Sequence, residues 1–393
     1  MGQYLDTLRT KDFRRLWLGA TVSTLGDGMT YVALAWLVAA RPGGTAQLGL
    51  LGVCYTAPVL VGGWAVGPLL DRFDKRTVLV ADSVVRALAV ASVPVAAALA
   101  AVPGWLPFAV AAVYGALKMV PLAGFPASIP YLVDDSHLEA ANALESFGFS
   151  VAGVVGPAAA GLLVGWIGAP NVLLADSVSF LVFASAAALV RPLRPRRDPA
   201  RPYGSLRVLA RDRVIVTTTL AFMAFNVAEG MLLVTAPWLA VHRLGGATAL
   251  GVLLALLAAG ELVGAAVAGH RRPSHRRVLG IGIVQAAGAL GFLAVLAGAP
   301  PLVGAGFLAV GGFGAAMTVW AQALRMRRIP AELHGRAFAL LRTLMQATPP
   351  LGAVLVTPLL VHAQQGAAAL VMATVAGVPA MLLVAAGRRT RTD

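Results

Sequence analysis

One carboxylate, Asp27, interrupts the apolar run from Leu16 to Ala40, in the stretch STLGDGMTY. A carboxyl group far from water has two uses. It can face an internal cavity and trade a proton there near neutral pH, because apolar surroundings favour the neutral acid. Or it can hydrogen-bond a neighbouring helix that the small residues Gly26 and Gly28 allow to come close, locking packing and nothing more. Both readings stay open on the sequence. Glu229 poses the same question in FNVAEGMLL, with Asn226 one turn earlier on nearly the same face. Asp27 and Glu229 are the expected proton carriers. Lys118, in YGALKMVPLAGF, either faces a cavity as a partner for Asp27 or snorkels to the interface. Asp82 and Arg86 are four residues apart, on one face of a helix, and are expected to form an intrahelical ion pair of structural character.

Other polar groups in apolar surroundings say less. Glu145 is placed at the opening of its run as an N-terminal charge, Asp176 and Glu261 lie inside theirs, and Gln285, Gln322 and Gln346 supply one amide each as interhelical glue. Trp36, Trp64, Trp238 and Trp320 can touch a hydrophobic ligand, but Trp17, Trp36, Trp105, Trp166 and Trp238 lie near run ends, where a tryptophan more commonly anchors a helix at a lipid interface. Cys54 is the sole cysteine, so there is no intramolecular disulfide and no thiolate cluster. The histidines lie mostly in loops and form no metal-ligand spacing, and no GxxxxGK[ST] stretch exists for nucleotide binding. No cofactor, no metal and no enzymatic constellation are expected.

The elements that must position these groups are long and apolar. Hydrophobic residues make up 59% of the 393 and charged residues only 12%, far below the quarter or so usual in globular domains. A helical crossing of the roughly 30 Å hydrocarbon layer needs about 20 apolar residues. Twelve such stretches can be placed, at 16–39, 48–70, 77–101, 105–127, 143–167, 171–190, 214–240, 247–269, 278–298, 302–324, 337–362 and 367–387, referred to below as spans 1 to 12. The fold expected is an all-α membrane protein. The 43 glycines and 24 prolines fit close helix packing within a bilayer and do not signal disorder. Met1 to Lys11 is polar and followed by a full-length span, so no cleavable leader is expected.

A net charge of +14 suggests nucleic acid until its placement is considered, for the basic residues sit in short loops between apolar spans. They follow one alternation. Arg9 to Arg15, Arg72 to Arg76, Arg191 to Arg213, Arg271 to Arg277, Arg325 to Arg336 and Arg388 to Arg391 would all lie on one side, against only Arg41 and Arg243 on the other. The positive-inside rule makes that the cytoplasmic side and puts both termini there. The loop from Val133 to Ala140 is the exception, carrying Asp134, Asp135 and Glu139 and no basic residue. The arginine-rich segment from Arg191 divides the spans into six and six. Expected domains are therefore residues 1–190, a cytoplasmic linker at 191–213, and 214–393, two six-helix bundles with a cavity between them. Within the linker, Ser205 to Arg213 is expected to form a short interfacial helix with Leu206 and Leu209 toward lipid.

Between spans 2 and 3 stands GPLLDRFDKR, Gly67 to Arg76, followed by DSVVRA from Asp82, FPASIPYLV from Phe125, AANAL from Ala140 and GVVGPAAAG from Gly153. Together these resemble the major facilitator superfamily, and within it the bacterial drug:proton antiporters of the macrolide-efflux type, although Asp74 replaces the glycine usual in the loop. The resemblance implies a secondary exporter in the inner membrane that exchanges protons for a hydrophobic small molecule, working as a monomer in contact with lipid and without nucleic acid. A dedicated exporter of an endogenous metabolite or siderophore, and a lipid-handling or non-transporting membrane protein, are the alternatives. It also implies a gate in which Gly67 permits close backbone approach and Asp71, with Arg72 and Arg76, works against Arg336 at the start of span 11. HRRPSHRR, His270 to Arg277, has no acidic residue, so a matching second gate is not expected. In span 5, Gly153, Gly156 and Gly161 are expected to pack tightly around a kink at Pro157.

Overall fold

A computed structural model describes residues 2–193, 207–270, 277–329, 337, 340, 341, 343–345 and 347–389. Among these residues the chain is all helix, with no β-strand. Twelve helices are long and apolar enough to cross a membrane: Lys11–Ala39, Gly44–Leu70, Lys75–Leu99, Leu106–Leu132, Ala140–Ile167, Ala169–Ala188, Arg213–His242, Ala247–Gly269, Arg277–Leu296, Pro300–Arg325, Thr343–Val361 and Gln365–Arg388. They correspond in order to spans 1 to 12. Their outward surfaces expose large apolar groups such as Trp64, Leu88, Leu99, Trp166 and Leu382. That surface would drive aggregation in water, whereas lipid tails solvate it.

Proline breaks two spans where the missing N–H requires it. Span 2 is interrupted at Ala57, just before Pro58. Span 4 is interrupted at Lys118, because Pro121 cannot donate to the Leu117 carbonyl four residues back. Span 5 tolerates Pro157 inside a continuous helix from Leu138 to Ile167. That early start corrects the expectation for Glu145, which sits two turns inside the helix.

The chain forms two compact units. The first comprises Met1–Pro42, Cys54–Asp198 and Gly245–Gly251; the second comprises Gly43–Val53, Pro199–Leu244 and Val252–Asp393. In the first unit, span 6 packs along spans 1 and 3, and span 1 along span 5. In the second, span 12 packs along spans 9 and 7, and span 7 along span 11. The same pairings thus recur with an offset of six. An apolar cluster that includes Phe13, Leu16, Leu70, Leu79, Phe125 and Ile129 packs spans 1 to 4 of the first unit together.

The loop between spans 2 and 3 is short because Asp74 caps span 3, accepting from the Arg76 amide at 2.9 Å. The same oxygen accepts from the Leu193 amide at 3.0 Å, tying the loop to the start of the connector. Further along the connector, Arg207–Arg211 forms one short helix. Leu209 does not face lipid: it is buried in a cluster with Ile215, Ile329, Leu341 and Met345, while Leu206 lies outside the described residues. Asp212 explains the turn, since it caps span 7 through the Val214 and Ile215 amides and pairs with Arg328 at 3.1 Å.

Candidate functional site

The glycines beside Asp27 position it by admitting two different neighbours. A Cβ on Gly26 would collide with the Asp176 carboxyl and the Ser179 hydroxyl of span 6. A Cβ on Gly28 would stand 2.8 Å from Pro157 and 3.1 Å from the Gly156 Cα of span 5. Span 1 is therefore clamped on both sides, with Asp27 held between the clamps. Its side chain keeps 22% exposure, so it is reachable by water.

Arg86 is the hub. It is buried to 1% exposure, donates from Nη1 to Asp27 at 3.0 Å, and donates from Nη2 and Nε to Asp82 Oδ2 at 2.8 and 3.1 Å. The guanidinium lies 4.4 Å from the Phe180 ring centroid and 5.7 Å from that of Tyr114, which adds cation–π stabilisation in a dry setting. The pairing of Asp82 with Arg86 inside one helix is what the four-residue spacing predicts. Its extension to Asp27, 59 residues away, draws that pair into the same site. The hydroxyl of Ser177 donates to the Ala87 carbonyl at 2.9 Å and fixes span 6 against span 3. Asp176 is wholly buried, accepting from Ser179 at 2.9 Å and from Thr30.

Beside this network lies a cavity of about 200 Å³ wholly within the first unit. Asp27, Lys118 and Glu145 give it charge, and Tyr55, Tyr114, Phe125, Phe149 and Phe183 give it aromatic walls. Among the described residues, no tryptophan lines it. Lys118 reaches it from the proline break in span 4, with Nζ 5.4 Å from the Tyr55 ring centroid. Tyr55 in turn stacks on Tyr114 at 5.0 Å and contacts Tyr31 at 4.9 Å. The site thus combines a half-buried, water-accessible carboxylate on a buried cation with a flexible ammonium group and apolar faces, able to hold an amphiphile by its charge and its rings.

The tryptophans take other roles. Trp64 is 83% exposed on the outer surface, Trp17 donates to the Leu144 carbonyl at 2.8 Å and joins spans 1 and 5, and Trp238 is buried on His242. The last two correct the expectation of interfacial anchors.

In the second unit, Glu229 is half-buried, its carboxyl 3.4 Å from where a Cβ on Gly314 would stand. Asn226 donates to the Met345 carbonyl at 3.0 Å and so ties span 7 to span 11. Glu261, whose field reaches Glu229, lies on span 8, which meets span 10 backbone to backbone through Gly260, Gly264 and Gly311. Gln285 donates to the carbonyls of Ala221 and Ala376, joining spans 7, 9 and 12.

The glycines of GVVGPAAAG divide by role. Gly156 packs on Leu25 and Gly28, and Gly161 meets the Gly251 backbone. Gly153 contradicts the expectation of tight packing, because no described atom lies within 4 Å of its Cβ position and it lines the cavity. Gly67 likewise meets no described atom within 4 Å, so close backbone approach does not explain it among the described residues. Arg72 is exposed and Arg76 half-buried; the Asp71 side chain and Arg336 lie outside the described residues. What sequence reasoning missed is the set of groups gathered around the Asp27–Arg86 pair: Thr30, Tyr55, Tyr114, Asp176 and Phe180. Only Asp176 carried a signal, as a charge in an apolar run.

Residues 16–353 match the sequence profile described as MFS_1, Major Facilitator Superfamily. The chain is 28% identical over 364 residues to the uncharacterized MFS-type transporter y4rN of Sinorhizobium fredii, covering 86% of each chain. It is 28% identical over 361 residues to the multidrug efflux pump Tap of Mycolicibacterium fortuitum, covering 86% of this chain and 87% of that one. Among solved structures, a bacterial homolog of the human lysosomal transporter Spinster, in an inward-facing, unoccupied conformation, superposes with a TM-score of 0.70 at 15% identity, covering 97% of this chain and 95% of that one.

Proposed function

This chain belongs to the Major Facilitator Superfamily, so it is a multi-pass membrane transporter of small solutes, and we propose from that premise that it exports hydrophobic, cationic or amphiphilic compounds in exchange for protons. Asp27 carries the reading. It is the acid that both touches the aromatic-walled cavity and holds the buried Arg86. A proton on Asp27 neutralises it, and a cationic group entering the cavity competes for the same carboxylate. One carboxylate cannot serve both at full strength, and that exclusion is what antiport requires. Tyr55, Tyr114, Phe125, Phe149 and Phe183 supply sequence-tolerant apolar faces, suited to compounds that share shape and polarity more than functional groups. The near full-length likeness to a pump named for multidrug efflux supports export and breadth of substrate.

Glu229 serves as the carboxyl of the second unit in the same reading, and the arginine-rich loops and both termini face the cytoplasm. The loop from Gly67 to Arg76 moves with the connector, because Asp74 holds both. Proteoliposomes with an imposed proton gradient and a panel of fluorescent lipophilic cations and neutral hydrophobic compounds provide the test. Gradient-driven uptake is expected for the native protein, falling to background in Asp27→Asn with the protein still inserted. Uptake indifferent to the gradient, or a fully active Asp27→Asn, would overturn the proposal.

A further inference from the structure

The layer around Arg86 contains three carboxyls and one guanidinium. Arg86 spends Nη1 on Asp27 and both Nε and Nη2 on Asp82. Asp176 receives none of these donors. Its hydrogen-bond partners are neutral hydroxyls, Thr30 of span 1 and Ser179 on its own helix, and it has no exposure to water. The charged and titratable groups around it are Asp27 on span 1, Arg86 on span 3, Tyr55 on span 2 and Tyr114 on span 4. An ionised carboxylate taken out of water without a directly bonded cation costs several kcal/mol, and binding a proton removes that cost. Gly26 has no side chain between the Asp176 carboxyl and the backbone just before Asp27, so the two acids belong to one compact cluster.

We propose that Asp176 is a second proton-carrying carboxyl, holding a proton while Arg86 is committed to Asp27 and Asp82 and releasing it when a cationic ligand occupies Asp27. The ligand's charge takes over Asp27, and Nη1 of Arg86 becomes free to offset a new carboxylate. The O–H bond of Asp176 then breaks, its proton leaves to water on the Asp27 side of the cluster, where the cavity begins, and the negative charge stays on Asp176 facing Arg86. One proton leaves for each cation bound, which converts binding into exchange. This rests on the export reading given above.

The test uses the purified full chain in detergent, unbuffered, with ethidium as the lipophilic cation and a pH indicator as readout. Native protein is expected to release one proton per ethidium bound. With Asp27 held as a carboxylate by Arg86 in the resting protein, Asp176→Asn is expected to bind ethidium and release no proton, and its infrared spectrum should lack a neutral-carboxyl band that the resting native protein shows. Should Asp176→Asn fail to fold, Thr30→Val tests the same carboxyl: it should shift that band and move the pH at which release is half-maximal. Equal release by native protein and Asp176→Asn, or a band left unchanged by both substitutions, would overturn the assignment. If native protein neither binds ethidium nor takes up substrates along a gradient, the export reading fails separately, and the infrared comparison still decides the state of Asp176.

Discussion

Replacing Arg86 with methionine is the most informative single perturbation, because the stem keeps its packing while the cation is lost. The structure sets the scale. Asp82 has a side chain 2% exposed and would be left as an uncompensated buried charge, whereas Asp27, at 22%, can turn part of its charge to water. Breaking a buried pair by removing one partner costs about 3–5 kcal/mol, and the Asp27 pair adds about 1 kcal/mol or less because it is partly solvated. At about 2–4 °C per kcal/mol for a unit of this size, Arg86→Met should lower the apparent melting temperature by about 6–24 °C. Tryptophan fluorescence of the detergent-purified protein reads this directly. Adding Asp82→Asn to Arg86→Met removes the stranded charge, and replacement of a whole buried pair by neutral groups is often close to neutral in energy. The double variant should therefore recover most of the loss. Melting of Arg86→Met within a degree or two of native, or a further drop in the double variant, would refute the view that this arginine is held by buried charge.

Gly26→Ala pushes a methyl group into the Asp176 carboxyl and should destabilise by about 1–3 kcal/mol, whereas Gly153→Ala, where no described atom is near, should be neutral or gain up to about 1 kcal/mol from helix propensity. Opposite signs in paired melting curves are the expected result. Asp212→Ala removes the cap of span 7 at a cost of about 0.5–2 kcal/mol. Partial burial works to raise the Asp212 carboxyl, but the Ile215 amide, Arg328 and the Val214 amide outweigh it and hold the group below its usual range. Its stabilisation is then complete above the ordinary aspartate value of about 4 and is lost as pH falls through the depressed one, so native and Asp212→Ala melting should converge in acid.

Lipid made much of this chain legible in one dimension. A helix crosses a bilayer only if it is long and apolar enough, so twelve predominantly apolar stretches are enough to count the spans, and the four-residue interval from Asp82 to Arg86 is enough to pair those two residues, because a helix repeats every 3.6 residues. Helix ends were less legible: the stretch from Leu138 is polar enough to read as loop, yet it continues span 5. Leu209 was misread for a similar reason, since apolar residues beside arginines look alike whether they meet lipid or protein.

Which carboxylate meets which cation was not legible at all. Asp27 and Arg86 are 59 residues apart, and Thr30 and Asp176 are 146 apart. Their meeting depends on how far each helix slides and turns against the next, and that register is set by the sum of many contacts in which no single residue type announces its partner. Gly26 and Gly28 were visible as small residues from the start. That one admits the acid of span 6 and the other the proline of span 5, leaving Asp27 between them at the cavity wall, is information held only by the packed helices.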